Sequence, residues 1–512
     1  MGAVTQYFQP GDYVLALPFL LLTLFAIGIL LIDLMLPAEL KWLNAALALA
    51  GVLFAGVGVV QIQRSIQQAG NGMGRVGFMN LVIVDRISIY FFYLFLAGTA
   101  VAILMSVKYL EIERESHGEY YALMLFSVVG MMCMAAGFDI VLIFIGLELM
   151  AISTYVLVGF LRRDRRSNEA ALKYFLLGAF SSGIFAYGLS LFYGVTGSTN
   201  LLEIARRIAP RVMATPGHAD PILVVALLTT AVGLFFKIAA IPFHQWAPDA
   251  YEGAPSSITG FMSVAVKAAA WAMFFRIALI MWIPLRPIYV PLLAFVSVAT
   301  MTGANLAALT QNNLKRLLAY SSIAHVGYML LGLIAGTSTS LNPDGVKGIL
   351  LYLLVYTFMN LGAFAVITSL ASRKLAGDEI DDIAGLYFRR PFEAILMLIF
   401  LLSLAGIPPL AGFWGKYFIF LSLVSTGHYA LAATAVLYTV FGLYYYLRIA
   451  NAMFVRQPVE DAPLPVSLGM RVALGISALA TVVIGIYPNP FIELVNWSLG
   501  LSNVHPLTSL LR

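Results

Sequence analysis

Apolar residues in this chain fall in long runs separated by short polar and charged segments. A run of about 20 apolar residues, wound as helix, crosses about 30 Å of hydrocarbon. The pattern predicts fourteen such spans, at 14–36, 42–62, 80–107, 119–136, 139–161, 168–196, 221–245, 256–282, 287–310, 315–336, 346–372, 391–425, 429–455 and 467–488. The strict alternation that marks membrane barrel strands is absent. The expected fold is therefore an all-α polytopic membrane protein. The seventh span contains Pro242 and the long twelfth contains Pro408-Pro409, so either could divide in two.

The pattern also repeats. Gly183-Ile184-Phe185-Ala186 in span six matches Gly362-Ala363-Phe364-Ala365 in span eleven, and Ile241-Pro242 in span seven matches Ile407-Pro408 in span twelve. Both pairs lie five spans apart. A unit with an odd number of crossings must return upside down, which is the inverted repeat common among ion transporters. The expected domains are 1–118 with three N-terminal spans, 119–284 and 285–457 with the two five-span repeats, and 458–512 with the last span.

Composition agrees. Of 512 residues 61% are hydrophobic and 11% charged, with a mean hydropathy of +0.91; soluble domains carry about 25% charged residues. The net charge of +5 lies largely in loops between spans. The loops after spans five, nine and eleven carry Arg162, Arg163, Arg165, Arg166, Lys315, Arg316, Arg373, Lys374, Arg389 and Arg390. The opposite loops carry chiefly Arg64, Arg75, Arg206, Arg207, Arg211 and Arg286. The positive-inside rule places the first set in the cytoplasm and both termini on the outer, periplasmic side of the cell inner membrane. A basic surface interleaved with aromatics is missing, so no nucleic-acid partner is expected.

The single cysteine, Cys133, supports neither a disulfide nor an iron–sulfur cluster and reads as a small buried hydrophobe. The first apolar run is too long for a signal peptide's core and reads as a retained helix. GNGMGRVG at 70–77 contains a G-x-G-x-x-G match, but neither a preceding strand nor a βαβ pattern accompanies it. It is expected to be a flexible loop. No metal-ligand cluster is predicted.

The informative residues are ionisable groups inside spans: Glu148 (five), Lys173 (six), Lys237 (seven), Lys267 (eight), His325 (ten) and Lys416 (twelve), with His244 near the end of seven. A charge at the bilayer centre costs about 3 kcal/mol or more, so each needs a partner, water or a shifted proton affinity. Burial disfavours the charged form of lysine, and a lysine so poised can take or release a proton when a neighbouring charge changes. The competing structural readings are snorkelling from a helix end, most serious for Lys173, and static ion pairing. Glu148 could pair with Lys237. His325 and His244 could equally be satisfied core or end-capping residues. Tyr444 to Tyr446 read as a packing or interfacial cluster. Proline within a membrane helix frees backbone carbonyls that protein or water must satisfy, which suits a hydrated interior spot.

Glu148, Lys173, Lys237, His244, His325 and Lys416 sit in GLELMAISTYVLVGF (146–160), EAALKYFLLGAFSSGIFAYG (169–188), LFFKIAAIPFHQWAPDAYEGAP (234–255), NLKRLLAYSSIAHVGYML (313–330) and SLAGIPPLAGFWGKYFIF (403–420). Across spans five to twelve the chain closely resembles the NuoN-type (subunit N) family of proton-translocating membrane subunits of respiratory complex I, the type I NADH:quinone oxidoreductase. These belong to a wider group that includes multisubunit cation/proton antiporters. The resemblance implies fourteen helices, two inverted five-helix units, and discontinuous helices seven and twelve. It implies a carboxylate–lysine pair of Glu148 and Lys237, a central Lys267, a terminal proton-transfer Lys416, a connecting His325, and a family lysine at Lys173. A lysine at Lys416 fits this subunit better than the middle antiporter-like subunit. The end of the chain soon after span fourteen leaves no lateral helix of the kind the distal subunit carries.

The resemblance further implies a chain with no cofactor of its own. FMN, the iron–sulfur clusters, NADH and the main quinone pocket would belong to partner subunits. Adjacent antiporter-like and small membrane subunits, lipid and protons would be the partners. The expected activity is proton translocation as part of an NADH:quinone oxidoreductase. The alternative is a subunit of a cation/proton antiporter.

Overall fold

The computed structural model describes residues 11–68, 74–115, 117–214, 220–337, 343–370, 378–457 and 467–500. Among these, thirteen helices are long and apolar enough to cross a membrane. A fourteenth crossing is made by a broken pair, Pro391–Ala405 and Ala411–Ser425. The first six crossings are Asp12–Asp33, Leu43–Gln68, Arg86–Glu113, Gly118–Ala136, Ile140–Val158 and Arg165–Thr196. The seventh is Pro221–Ile238, followed across a turn by Trp246–Gly253. The eighth, ninth, tenth and eleventh are Ser256–Met281, Ile283–Leu309, Leu314–Gly336 and Pro343–Leu370. The twelfth is the broken pair, and Tyr429–Val455 and Leu468–Ile486 complete the set. The predicted fold class therefore stands, including both breaks.

The helix starts follow from local chemistry. A helix leaves its first N–H groups unsatisfied, and a short polar side chain just before it accepts from them. Asp139 accepts from Val141, Asp164 from Arg166, Asp220 from Ile222, Asn313 from Arg316 and Ser467 from Met470. At the third crossing Asp85 and Ser88 form a reciprocal capping box. This cap explains why the crossing starts at Arg86 and not at the predicted residue 80. Residues 82–84, β-branched throughout, pair as a short strand with Arg75–Gly77. The described part of the predicted flexible loop is thus one arm of a hairpin; Gly70 to Met73 lie outside the described residues. Arg373 and Lys374 do too.

Between crossings six and seven the chain forms a helix not foreseen as such, Leu201–Ala214. Its apolar Leu201, Ile204 and Ile208 are buried, while Arg206 and Arg207 are exposed. Arg207 pairs with Glu203 at 2.7 Å and caps the end of crossing six through the carbonyl of Thr196.

The tenth and eleventh crossings are almost wholly enclosed by other helices. The first, second, sixth and thirteenth turn large apolar side chains outward, among them Leu24, Leu53, Phe180 and Val440. Crossings four and five touch backbone to backbone. A Cβ added at Gly130 would lie 2.5 Å from the carbonyl oxygen of Gly146, so only small residues allow this approach. Cys133 packs against Gly146 at the same contact, half-buried, as a small apolar side chain.

One buried ion pair ties the N-terminal helices to the first repeat. Arg276 donates two hydrogen bonds to Asp85, both 2.7 Å, one of 2.7 Å to the hydroxyl of Ser88 and one of 2.9 Å to the carbonyl of Ala135. It joins crossings three, four and eight. Burial alone would raise the Asp85 carboxyl, but the Arg276 guanidinium and the Ser88 donors outweigh it and hold the group below the usual range.

Candidate functional site

The two breaks share one local design. Crossing seven ends at Lys237 and Ile238, and Ala239 then adopts the left-handed conformation, φ 60°. The first half of crossing twelve ends at Ala405, and Gly406 does the same at φ 85°. In each, two successive N–H groups fold back on the last turn: Ala239 and Ala240 on Phe235 and Phe236, Gly406 and Ile407 on Leu402 and Ser403. This is the Schellman arrangement that satisfies otherwise orphaned carbonyls. Three residues later stands a proline, Pro242 or Pro409. The sequence match had paired Ile241-Pro242 with Ile407-Pro408, so the structure shifts that register by one. In the corrected register Asp249 stands where Lys416 stands in the second repeat.

The freed backbone is satisfied inside the protein, as hydrocarbon requires. The N–H of Ile241 donates to Thr300 of crossing nine at 3.0 Å. The Trp246 indole donates to the carbonyl of Phe236 at 2.8 Å. In the second break the N–H of Gly412 donates to Ser403 at 3.0 Å. Lys416 reaches back with its ammonium to the carbonyls of Leu404 and Ala405, at 3.1 and 2.8 Å. A cation thus sits at the C-terminal end of a half-helix, where the helix dipole favours it.

Four of the predicted groups lie deep: Lys237, Lys267, His325 and Lys416 are each at most 6% exposed. Lys237 donates to the Tyr155 hydroxyl at 3.4 Å and lies over its ring at 5.5 Å. Lys267 follows a wide π-turn, Met262–Val266, and donates to the hydroxyl and, at 3.1 Å, the carbonyl of Ser322. His325 hydrogen-bonds Tyr352 through Nδ1 and Tyr446 through Nε2, the latter at 3.1 Å. Tyr446 in turn bonds Ser321. Lys416 lies 5.2 Å from the centre of the Tyr328 ring.

The tenth crossing is the shared element. Ser321, Ser322, His325 and Tyr328 recur at three- and four-residue spacing, so one face of one helix meets Lys267, Tyr352, Tyr446 and Lys416. Lys267 and Lys416 both lie within Coulombic range of His325.

Three predicted residues stand apart. Glu148 is half-buried, and one of its carboxylate oxygens has no hydrogen-bond partner among the described residues. It acts on Lys237 electrostatically, but among the described residues no direct ion pair joins the two. Glu148 and Tyr155, on one helix seven residues apart, share a face, and Tyr155 is the residue that Lys237 contacts. Lys173 is not buried. Its side chain is 47% exposed and pairs with Glu169 at 2.8 Å and Asp249 at 3.1 Å. Asp249 also binds Arg316 at 2.6 Å, and Arg316 binds Glu252 at 2.7 Å. Lys173 therefore belongs to a charged chain near one helix end, beginning only a few residues after Arg165. His244 lies in the turn between the half-helices, half-buried, with Nδ1 unpartnered among the described residues.

Sequence reasoning missed Tyr155, Tyr352, Tyr446, Ser321 and Ser322. Of the two readings of the run Tyr444 to Tyr446, packing or interfacial, Tyr445 and Tyr446 follow the first and Tyr444 the second. Tyr446 is buried on His325, Tyr445 is buried near Asn305, and only Tyr444 faces out.

Gly406 permits a test of the Lys416 placement. A Cβ there would meet Lys416 Cδ at 2.8 Å and Nζ at 3.3 Å. Gly406→Ala is expected to cost about 1–2 kcal/mol for the left-handed backbone. It should also lower function more than Ala239→Gly, which relieves the same conformation at the first break. Thermal stability and proton movement of both variants, measured together, check this.

A polytopic bundle with two broken helices and three buried lysines, two of them against one histidine-bearing helix, defines an antiporter-type membrane subunit. The family described as NADH:quinone oxidoreductase/Mrp antiporter, TM, matches residues 137–442. NADH-quinone oxidoreductase subunit N 1 of Koribacter versatilis is 62% identical over 514 residues, covering 100% of both chains. A chain of respiratory complex I from Thermus thermophilus with bound aureothin superposes with a TM-score of 0.76. It is 31% identical, over 93% of this chain and 98% of that one. A chain of the Mrp complex from Dietzia superposes with a TM-score of 0.77 at 22% identity, over 93% and 96%, a likeness of fold. The chain belongs to the NADH:quinone oxidoreductase/Mrp antiporter transmembrane family, and within it to the subunit N relatives of NADH-quinone oxidoreductase.

Proposed function

We propose that this chain is the N-type membrane subunit of a proton-translocating NADH:quinone oxidoreductase. It couples electron transfer in partner subunits to proton movement through its own buried groups. The supporting observation is the contact series Lys267–Ser322, Ser321–Tyr446–His325–Tyr352 and Lys416 over Tyr328, all on the face of one enclosed helix. Lys237 and Glu148 form the through-space couple of the first repeat, with Tyr155 in contact with Lys237. Lys416 is the terminal group. Lys173 and His244 flank this series at its edge.

In this reading the chain is the translocase part of the enzyme and holds no redox centre. FMN, iron–sulfur clusters, NADH and quinone belong to partner subunits, and the neighbours are antiporter-like and small membrane subunits. The chain resides in the cell inner membrane with both termini outside. The units 119–284 and 285–457 act as the two inverted halves.

The test is substitution within the assembled complex. Glu148→Gln and Lys237→Ala should each lower NADH-driven proton translocation in membrane vesicles with assembly intact. Full translocation in both would instead assign these charges to packing. Sodium-dependent proton exchange without NADH would favour the antiporter reading, which the shared fold of the Mrp complex makes the natural competitor.

A further inference from the structure

A cavity of about 390 Å³ lies at one end of the bundle, outside the series described above. Its walls come from the ends of crossings three, five and seven, the starts of six, eight and ten, and the loop after crossing eleven. By topology all these lie on the side of the arginine-rich loops. From the described part of that loop Asp378 lines the cavity. The loop is pinned there by backbone hydrogen bonds: the N–H of Leu314 donates to Asp378, and the N–H of Ile380 donates to Asn312 at 2.9 Å.

Asp378 is 9% exposed. One carboxylate oxygen lies 3.4 Å from Lys315 Nζ, and the other has no hydrogen-bond partner among the described residues. Lys315 is buried as well and donates to the carbonyl of Ala254 at 3.2 Å. Facing the pair are Glu252, with Arg166 at the start of crossing six. The end of crossing three brings Tyr109, Glu113 and Glu115, and the loop after crossing five brings Arg163 and Asp164. Burial raises the Asp378 carboxyl above the ordinary range; Lys315 opposes this and Glu252 adds to it. A carboxyl so placed holds a proton closer to neutral pH than an exposed one.

Ser256 lines the same cavity and opens crossing eight. Ser256, Thr259, Ser263 and Lys267 then follow at three- and four-residue spacing, a polar stripe on one helix face. At about 1.5 Å per residue the stripe runs about 16 Å from the cavity to Lys267. All four are buried. Asn360 donates to Ser263 at 2.6 Å, and the neighbouring Ser257 bonds Tyr120, which bonds Ser106.

We propose that Asp378 is the proton-loading carboxylate of this vestibule and feeds Lys267 along the hydroxyl stripe of crossing eight. Asp378 takes a proton from a hydronium ion at the cavity mouth: an O–H bond of hydronium breaks as the carboxyl O–H bond forms, and water is left. The proton passes over hydroxyls and intervening water, the neutral Lys267 amine accepts it as ammonium, and the carboxylate is regenerated. The inference rests on the proton-translocating reading above.

The test uses the complete complex in inverted membrane vesicles, with NADH oxidation and vesicle acidification followed together across the neutral pH range. Asp378→Asn keeps the shape of the loop and removes the titration. The expected result is unchanged assembly, translocation lowered at least about tenfold, an altered pH profile, and recovery with Asp378→Glu. Full translocation by D378N with an unchanged profile, while K267A abolishes it, overturns the proposal and leaves the pump intact. Full translocation by both variants removes the pump reading itself, and the proposal with it. Should D378N fail to assemble, Ser263→Ala decides: slowed translocation in an assembled complex supports the stripe, and an unaltered rate overturns it.

Discussion

Replacing Arg276 with alanine is expected to destabilise this protein by about 3–5 kcal/mol, the loss typical when one partner of a buried ion pair is removed. The reason is what remains. Asp85 would keep its charge at the enclosed start of crossing three, with only the Ser88 donors of its own cap. The carbonyl of Ala135 would keep only the longer bond from the Ser88 hydroxyl, at 3.3 Å. Three crossings meet at this guanidinium, so the effect should appear as loss of assembled protein from the membrane and a lowered unfolding temperature in detergent. Arg276→Met combined with Asp85→Asn should cost less, because no uncompensated charge is left behind. If the double variant is no better than R276A alone, charge pairing is not what the site contributes. The sign with pH is set by Asp85. Its carboxyl is held below the usual range, so its contribution is complete above about pH 4 and is lost only as pH falls through the lowered value.

Lys267→Ala is expected to cut proton translocation by on the order of 100-fold, the lower range for removal of a positioned proton-transfer group. Folding should suffer little by comparison, since the side chain's partners are a serine hydroxyl and carbonyl and not a countercharge. Lys267→Arg separates two meanings of that result. Arginine keeps the positive charge but does not release its proton near neutral pH. A relay requires K267R to fail as K267A does. A static electrostatic role predicts that K267R translocates at the wild-type rate. Both are read from vesicle acidification normalised to the amount of assembled complex.

The buried lysines were legible because lysine in a hydrophobic run is costly and therefore conspicuous. Lys237, Lys267 and Lys416 lie where that cost argument placed them, and His325 with them. Lys173 did not follow, since position within an apolar run does not reveal depth. Polar residues near the run's end, Glu169 in the first turns of the same helix and Asp249 in space, hold its ammonium at the rim. The tyrosines and serines that join the series were invisible for the opposite reason. Tyr352, Tyr446 and Ser322 are cheap in a membrane helix, and crossings ten and eleven are enclosed on nearly every side. The run Ser321, Ser322, His325 and Tyr328 marks one face of crossing ten, but not which groups of other helices that face meets. Asp378 was hidden in another way, as an ordinary loop acid brought to crossings seven and ten by backbone pairing of residues 312 and 313 with 378 to 380.

The register of the repeat shows the same boundary. Identical Ile-Pro pairs suggested one alignment, but backbone conformation follows Ala239 and Gly406, and the matching prolines are Pro242 and Pro409. What the sequence by itself determined was the number of crossings, the two breaks, and the residues too costly to be there by accident. Each of these depends on solvation and backbone hydrogen bonding, which act locally along the chain. Which groups touch was decided only by tertiary structure: Lys237 on Tyr155, Lys416 on the carbonyls of its own broken helix, Asp378 across the mouth of the first repeat. For helices enclosed on nearly every side, as crossings ten and eleven are, solvation does not tell one neighbour from another. Packing among the helices makes that choice.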